Sequence, residues 1–500
     1  MLIQKGNIMK KNKIKKFIND YVKWKPPQIV VLISLFIPFL FLFLMDFKLD
    51  NDFWFLINTG KYVIKNGIPH IEPFTIHSNL SFVAQQWLTD IIFYLIYNKF
   101  NIYGMYIFIL ISNIIIVFLL YKISMLVNSN QRKISMITSL IVDIILLMGF
   151  LTTRPQVFDM ILLLLELYLL ELYIKRNNEK YLLGLPIISL LMINLHASVW
   201  PMTFVFLLPY YVGRVNLKFT TKENYKLKPL IIVTIVMLLF GFINPYGIES
   251  MTYLFNSYGI DYIDNLVIEM GPLTIKNGKL IYLHMLIIII TYIANKKSKI
   301  NLRYTLLLLG TTLLSLQHIK GVLFLLITSI IAINYNLKNI FMEEVERQVK
   351  TNKYIKIILI IITCMIVFVS FKNKNYVKEE DNYYYEISEI LKENKAESSV
   401  IYTGYNAGGY IEYQGFRCYI DQRAEVFLKS NNKKENILLE YYNLKTGNDN
   451  LKNFFDKYKF DYIIIDNYES ILHTYIDELD EYTQIYNKND ELKLYKRIEE

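Results

Sequence analysis

The chain has 500 residues, of which 54% are hydrophobic and 20% charged, a balance typical of polytopic membrane proteins with room for one further domain. From residue 372 onward it carries 18 Lys and Arg against 25 Asp and Glu, so the overall charge of +10 divides into −7 there and +17 before it. The basic residues lie in short loops between apolar runs. They therefore indicate membrane orientation and argue against nucleic-acid binding.

The N-terminus, residues 1–27, is strongly basic, and the first apolar run is Ile29–Met45. This run is too long for a signal peptide and lacks a small-residue cleavage site, so it predicts a retained span. The positive-inside rule places the N-terminus in the cytoplasm. Asp50 and Asp52, which follow the span at once, are then expected outside.

Residues 47–102 form the predicted first outer loop. Phe53–Asn66 is aromatic and amphipathic and ends at Gly67 and Pro69, and Trp87–Phe100 is apolar but short. A span needs about 20 residues. Short aromatic amphipathic segments are typical of helices in the membrane interface. The sequence therefore predicts two helices lying flat on the outer face.

If both loop segments lie flat on the outer face, every later Lys/Arg cluster falls on the cytoplasmic side, as the positive-inside rule requires. Were Trp87–Phe100 a span, the clusters up to Arg303 would lie on the wrong side. We expect about eleven spans: Ile29–Met45, Met105–Tyr121, Ile134–Leu151, Val157–Ile174, Leu182–Leu195, Pro201–Val212, Leu230–Ile243, Leu280–Ala294, Leu306–Leu316, Val322–Tyr335 and Ile357–Phe371.

The last third of the chain has a different pattern. Tyr383–Glu393 has helical spacing, whereas Ser399–Tyr402 and Asp461–Ile465 are short β-branched and aromatic runs. Residues 372–500 therefore predict a small α/β domain outside the cell, attached to an α-helical membrane domain over residues 28–371. Cys364 lies in an apolar run and Cys418 in the polar tail, so no disulfide is expected between them.

Two carboxylates one residue apart, Asp50 and Asp52, stand where the first span leaves the membrane. They are interpreted as the reacting groups of a membrane-embedded enzyme, with helix capping as the alternative. The predicted outer ends of other spans carry further polar residues. These residues are Arg154, His196, Asn244, His318 and Lys320. They could bind a lipid phosphate while a carboxylate acts as base toward the acceptor, or they could be groups that snorkel to the membrane interface.

Two other groups of residues support rival interpretations. Asp143 and Glu166 lie near the middle of spans, where ionisable groups are costly and often functional. They fit a proton relay in a transporter, or a hydrogen-bonded pair between neighbouring helices. His70, His77 and Glu72 lie in the first outer loop, but no two of them have a recognised metal-ligand spacing. A divalent metal therefore stays an open alternative, with no ligand set assigned.

The tail contains two candidate acceptor-binding motifs. The turn Tyr405–Tyr410 includes Asn406 and Gly409 and does not match a dinucleotide-binding pattern. Asp421, Arg423 and Glu425 alternate along the chain, which indicates either an internal ion-pair set or an acceptor-binding edge.

The motifs LDNDFWF, QQWLTD, RPQVFD, INLHASV, INPYG and YNAGGY occur in order over most of the chain. Together they resemble a family of bacterial membrane proteins of the GT-C glycosyltransferase type, related to protein mannosyltransferases and aminoarabinose transferases. The resemblance implies Asp50 or Asp52 as general base and a polyprenyl-phosphate sugar as donor. Where relatives tend to read DPFS this chain keeps an acid, Glu72. Where they tend to read an HEWL-like string it has Gln85 and Gln86.

The expected function is therefore sugar transfer from a polyprenyl-phosphate donor on the outer face of a bacterial cytoplasmic membrane. The acceptor is a glycan, lipid or protein, and the other partners are membrane lipids. Two alternatives remain: a transporter or flippase of a lipid-linked glycan, and a non-catalytic envelope assembly protein.

Overall fold

A computed structural model describes residues 25–44, 46–215, 217–257, 260, 262–295, 299–338, 376, 378–476 and 479–498. The predicted span Ile357–Phe371, most of the loop before it, Cys364 and nearly all of the basic N-terminus lie outside the described residues. Cys418 is a free, buried thiol.

The region from Gln28 to Leu337 folds as a bundle of helices, and most of its buried apolar residues belong to one core. Ten of the eleven predicted spans coincide with helices, and the first is split at Phe36. The helices of this body are Gln28–Leu35, Ile37–Leu44, Phe53–Asn66, Trp87–Val127, Arg132–Gly149, Gln156–Arg176, Gly184–Leu195, Trp200–Val212, Lys228–Phe240, Ile248–Ser257, Ile263–Leu266, Lys279–Ala294, Leu302–Gln317 and Val322–Leu337.

Two of the described helical segments, Trp87–Val127 and Ile319–Leu337, are long and apolar enough to cross a membrane. Several others are apolar but have only 10 to 17 residues. At about 1.5 Å per residue such helices fall short of a hydrocarbon core about 30 Å thick. The number of eleven spans therefore stays a prediction.

The two helices of the first outer loop are present. Phe53–Asn66 begins and ends at the predicted residues. The second continues into the next predicted span, but the run Trp87–Val127 is interrupted at Asn101, where φ is 50° and ψ is −151°. The predicted segment Trp87–Phe100 is thus separate from the helix after it. Gly60 lets the two loop helices meet, since a Cβ there would lie 2.1 Å from the Asp90 carbonyl oxygen.

The tail is an α/β domain with one four-stranded sheet, which confirms the predicted class of this segment. In the order β1-β2-β4-β3, the first pair is parallel and the other pairs are antiparallel. The strands are β1 Ile401–Tyr402, β2 Tyr462–Asp466, β3 Tyr482–Lys488 and β4 Leu492–Arg497. The helices are Tyr385–Glu393, Gly408–Tyr413, Lys429–Asn432, Ile437–Thr446, Leu451–Tyr458 and Ser470–Ile476.

The tail packs directly on the first outer loop. The Trp54 ring lies 5.0 Å from that of Tyr410 and 5.1 Å from that of Tyr413, so the helix Gly408–Tyr413 rests on the helix Phe53–Asn66. The backbone N–H of Ile76 donates to the carbonyl of Cys418 at 2.9 Å. The tail therefore covers the segment that carries the two candidate carboxylates.

Candidate active site

The Asp50–Asp52 segment forms a tight turn at the start of the helix Phe53–Asn66. The backbone N–H of Asp50 donates to Thr153 Oγ1 at 3.0 Å, and that of Asp52 donates to Asp50 Oδ1 at 3.1 Å. Asp52 occupies the N-cap position, but its side chain makes no capping hydrogen bond. The capping interpretation is therefore wrong for Asp52, whose carboxylate is turned away from the helix.

The carboxylates are turned toward Arg154, which lies in the turn between the helices Arg132–Gly149 and Gln156–Arg176. Its Nε lies 2.7 Å from Asp50 Oδ1, its Nη2 3.2 Å from Asp52 Oδ2, and its Nη1 2.6 Å from Glu269 Oε1. Its side chain is 19% exposed. Arg154 thus contacts three carboxylates at once, which excludes simple snorkelling as its role.

Glu269 also pairs with Lys320, at a longer distance of 3.7 Å. Each residue stands on a short 3₁₀ turn, Ile268–Met270 and Ile319–Gly321. These turns are joined because the Ile319 N–H donates to the Gly271 carbonyl at 3.0 Å. His318 Nδ1 lies 2.5 Å from the Met270 carbonyl, so His318 reinforces the same junction.

The surroundings shift the affinities of these groups for protons. Burial raises the pKa of Asp52 to about 7; Arg154 opposes this rise, Asp50 and Glu269 add to it, and Lys320 opposes it weakly. Burial also disfavours the charged form of Glu269, but Arg154 and Lys320 outweigh it and hold the pKa of Glu269 below its usual range. Asp52 is therefore poised near neutral pH, whereas Glu269 stays ionised.

Two cavities meet at this ion-pair cluster. The first, of about 520 Å³, is lined by Asp52, and the second, of about 500 Å³, by Asp50. The two share the lining residues Phe150, Arg154, Gln156, Glu269 and Lys320.

The second cavity, which we call the apolar groove, combines apolar walls with cationic groups. Its apolar lining residues are Ile145, Met148, Phe150, Leu273, Leu280, Ile281, Ile319 and Val322. Its lining also contains Lys276 and Lys279 in addition to Arg154 and Lys320. An apolar cavity that also holds cations is chemically matched to a ligand that has a long hydrocarbon chain and an anionic head.

The first cavity, which we call the tail cavity, is roofed by the C-terminal domain. Tyr405, Asn406, Arg423, Lys445 and Tyr468 all line it. The roof is tied to the Asp50–Asp52 turn because Asn51 Nδ2 donates to the carbonyl of Asn406 at 3.0 Å. Polar groups from the tail therefore face the same space as Asp52.

Arg423 forms the main junction between the tail and the first outer loop. Its guanidinium is bonded to Asp421, lies 2.9 Å from Glu72 Oε1 and 3.4 Å from Glu412 Oε2, and is packed between the Phe74 and Phe82 rings. All four charged side chains are 6% exposed or less. Asp421 and Arg423 therefore form an internal ion pair, as one of the two interpretations expected. The other acids that contact Arg423 are Glu72 and Glu412, not Glu425.

Several predicted site residues lie outside both cavities and have structural contacts instead. Glu72 accepts hydrogen bonds from Phe74 N, Thr75 N and Thr75 Oγ1 as well as pairing with Arg423. Asn244 closes a local turn through Gly241, Tyr246 and Gly247. Gly409 N–H donates to Gln422 Oε1, and a Cβ at Gly409 would lie 2.4 Å from that oxygen. The ligand contacts expected of Glu72, Asn244, His318, Gly409 and Asp421 therefore find no support in their positions.

The rival site residues do not assemble. Asp143 accepts hydrogen bonds from Asn113 at 3.0 and 3.2 Å, while both oxygens of Glu166 are buried without a hydrogen-bond partner among the described residues. The two acids are thus not a hydrogen-bonded pair. His77 Nε2 bonds the Tyr419 carbonyl at 2.8 Å, and His70 packs on the ring of Tyr246.

The carboxylates of the site do not fit a divalent metal, since the Arg154 guanidinium lies where a shared cation would stand. Across the described ranges, no group of three His, Cys, Asp or Glu residues could hold a metal ion. No chemistry is therefore assigned to a metal here.

Glu269 is the main site residue that sequence reasoning missed. The argument that selected the outer ends of the spans applies equally to the segment 265–271, in which Glu269 is the single acid. Lys445 and Tyr468 of the tail were also missed, because neither lies in a recognisable motif.

Among solved structures, the chain is similar to the oligosaccharyltransferase of Archaeoglobus fulgidus tethered with an acceptor peptide containing an NVT sequon. The sequence identity is 10% and the TM-score 0.56, over 83% of this chain and 64% of that chain. The chain thus spans less than two thirds of the length of this neighbour. No family model and no curated protein matches the sequence. The structural likeness shows that the chain shares the fold of this oligosaccharyltransferase over most of its length.

Proposed function

We propose that this chain is a membrane glycosyltransferase that moves a sugar from a polyprenyl-phosphate donor to an acceptor on the outer face of a bacterial cytoplasmic membrane. One observation carries the proposal. The cluster of Asp52, Arg154, Glu269 and Lys320 stands where the apolar groove, which is also lined by cations, meets the tail cavity. The GT-C-like fold of the chain supports the same class of reaction.

The apolar groove is the proposed donor site. A polyprenyl chain would bury its hydrocarbon along Leu280, Ile281 and Val322, and its phosphate would lie beside Arg154 and Lys320. Charge-assisted hydrogen bonds from a guanidinium and an ammonium would then stabilise the negative charge that grows on the phosphate as it leaves.

The tail cavity is the proposed acceptor site, and Asp52 is the proposed general base. Asp52 lines this cavity, whereas Asp50 lines the groove and is held by Thr153, Asp52 N and Arg154. Asp52 would take the proton of an acceptor hydroxyl while the oxygen of that hydroxyl bonds to the anomeric carbon of the sugar. The bond from that carbon to the phosphate oxygen breaks, and its electron pair leaves with the lipid phosphate. This is a single displacement, which inverts the anomeric centre.

The test uses the full-length protein in lipid nanodiscs with synthetic polyprenyl-phosphate hexoses and pentoses. The assay measures the release of polyprenyl phosphate in the presence of a mixture of glycan, lipid and peptide acceptors. General-base catalysis contributes about 10²- to 10⁴-fold, so we expect D52N to lose at least about 100-fold in rate. Asp46, an exposed acid just before the first outer loop, provides the matched control D46N, which should keep the wild-type rate. Equal rates in D52N and D46N would refute the assignment of Asp52.

A further inference from the structure

A buried carboxylate–imidazole pair forms part of the wall of the tail cavity. Asp159, in the first turn of Gln156–Arg176, is fully buried, and its Oδ2 lies 2.7 Å from Nδ1 of His196. Its other oxygen, Oδ1, is buried without a hydrogen-bond partner in the described part of the chain. His196 is thus the one hydrogen-bond partner the described structure gives this carboxylate.

The backbone on both sides of His196 is held by the segment that starts the second loop helix. Thr89 Oγ1 donates to the Leu195 carbonyl at 2.7 Å, and Ala197 N–H donates to the Gln85 carbonyl at 2.9 Å. Ser198 N–H donates to Gln85 Oε1 at 3.1 Å. With its backbone fixed and its Nδ1 bound to Asp159, the imidazole has a preset direction.

This arrangement determines what His196 offers to a ligand. In neutral imidazole one ring nitrogen carries the proton and the other a lone pair. Because Asp159 accepts from Nδ1–H, Nε2 is left as a hydrogen-bond acceptor. The side chain is 13% exposed and lines the tail cavity. An Nε2 lone pair binds O–H or N–H groups and repels phosphate oxygens, which are themselves acceptors.

The position of His196 agrees with this chemistry. His196 and Asp159 line the tail cavity but not the apolar groove, which is the cavity lined by Lys276 and Lys279. We infer that His196 binds a hydroxyl or amine hydrogen of the sugar acceptor through Nε2, and that Asp159 is the residue that positions it. This inference rests on the proposed function and replaces phosphate binding as the role of His196.

The first test measures binding of polyprenyl phosphate to the protein in nanodiscs. We expect H196Q and D159N to bind it within about twofold of wild type, while K320A loses about tenfold. K180A, which removes an exposed lysine far along the chain, is the control for lost charge. A tenfold loss in H196Q would overturn the inference. Failure of the wild type to bind at all would instead refute the proposed donor site.

The second test does not depend on activity. The chain has six histidines, so ¹⁵N-histidine labelling gives few signals, and H196Q assigns that of residue 196. We expect the ring to carry its proton on Nδ1 and a lone pair on Nε2. A doubly protonated ring, or a proton on Nε2, would overturn the inference.

The third test applies once transfer is measured. H196A should raise the KM for the acceptor about tenfold with a smaller change in kcat, and D159N should do the same. The double variant H196A/D159N should be no worse than H196A alone, because Asp159 acts through His196. H473Q, which changes a tail histidine bonded to the Asp490 carbonyl, is the control. An unchanged KM in H196A, or additive losses, would contradict the assignment.

Discussion

Glu269 holds the two cations that the proposed donor phosphate needs. In the structure its carboxylate lies 2.6 Å from Arg154 and 3.7 Å from Lys320. A phosphate that binds these cations must displace this carboxylate, which competes as an intramolecular anion. The substitution E269Q keeps the shape of the side chain and removes its charge. We therefore expect E269Q to bind polyprenyl phosphate more tightly than wild type.

The size of the gain follows from the exposure of the ion pairs. The side chains of Arg154, Lys320 and Glu269 are 19%, 34% and 39% exposed, so solvent screens both pairs. Such pairs contribute about 0–1 kcal/mol each, and a charge-assisted hydrogen bond about 1.5–3 kcal/mol before screening. A net release of roughly 1–2 kcal/mol corresponds to an affinity gain of about 5- to 30-fold.

The assay is a binding titration in nanodiscs with polyprenyl phosphate and, in parallel, with the neutral polyprenol. E269Q should raise the affinity for polyprenyl phosphate and leave the affinity for polyprenol unchanged. E249Q, which neutralises an exposed acid in the helix Ile248–Ser257, is the matched control. Equal or weaker binding of polyprenyl phosphate by E269Q would show that Glu269 does not compete for the phosphate site.

Three further predictions concern other parts of the chain. Since burial raises the pKa of Asp52 to about 7, kcat/KM should fall about tenfold per pH unit below pH 7, and a flat profile would contradict the role of Asp52 as base. A cysteine at exposed Asn448 should react with an impermeant maleimide in intact cells, and reaction only after permeabilisation would refute an outer tail. Burial raises the pKa of Glu469 from 4.5 to about 8, so between these pH values the folded tail binds a proton that the unfolded chain has lost. The free energy of unfolding therefore decreases as the pH rises, by up to about 1.4 kcal/mol per pH unit. As the pH is raised from 5 to 8, the Tm of the wild type should therefore decrease relative to that of E469Q. Parallel plots of Tm against pH would refute this.

The sequence predicted the local features of the site better than its long-range partners. Phe53–Asn66 was found to the residue because its amphipathic period ends at Gly67, which has a φ of 83°. The separation of Trp87–Phe100 from the next helix followed from its length alone and is confirmed by the break at Asn101. The outer-face rule selected Arg154, His196 and Lys320, which all line the tail cavity.

What the sequence could not give are contacts between distant residues. Glu269 meets Arg154 across 115 positions, and Glu72 meets Arg423 across 351. Asp159 meets His196, which lies 37 positions later in the chain. No periodicity or spacing encodes such pairs, because they depend on how whole helices and the tail come together.

The Arg423 junction has a consequence for protein engineering. Replacing the tail with one that has no arginine at the place of Arg423 would leave Glu72 in the loop without its guanidinium, buried and unpaired. Removing one partner of a buried ion pair costs about 3–5 kcal/mol. Chimeras meant to change the acceptor should therefore exchange residues 47–102 together with the tail, so that both halves of the junction come from one parent.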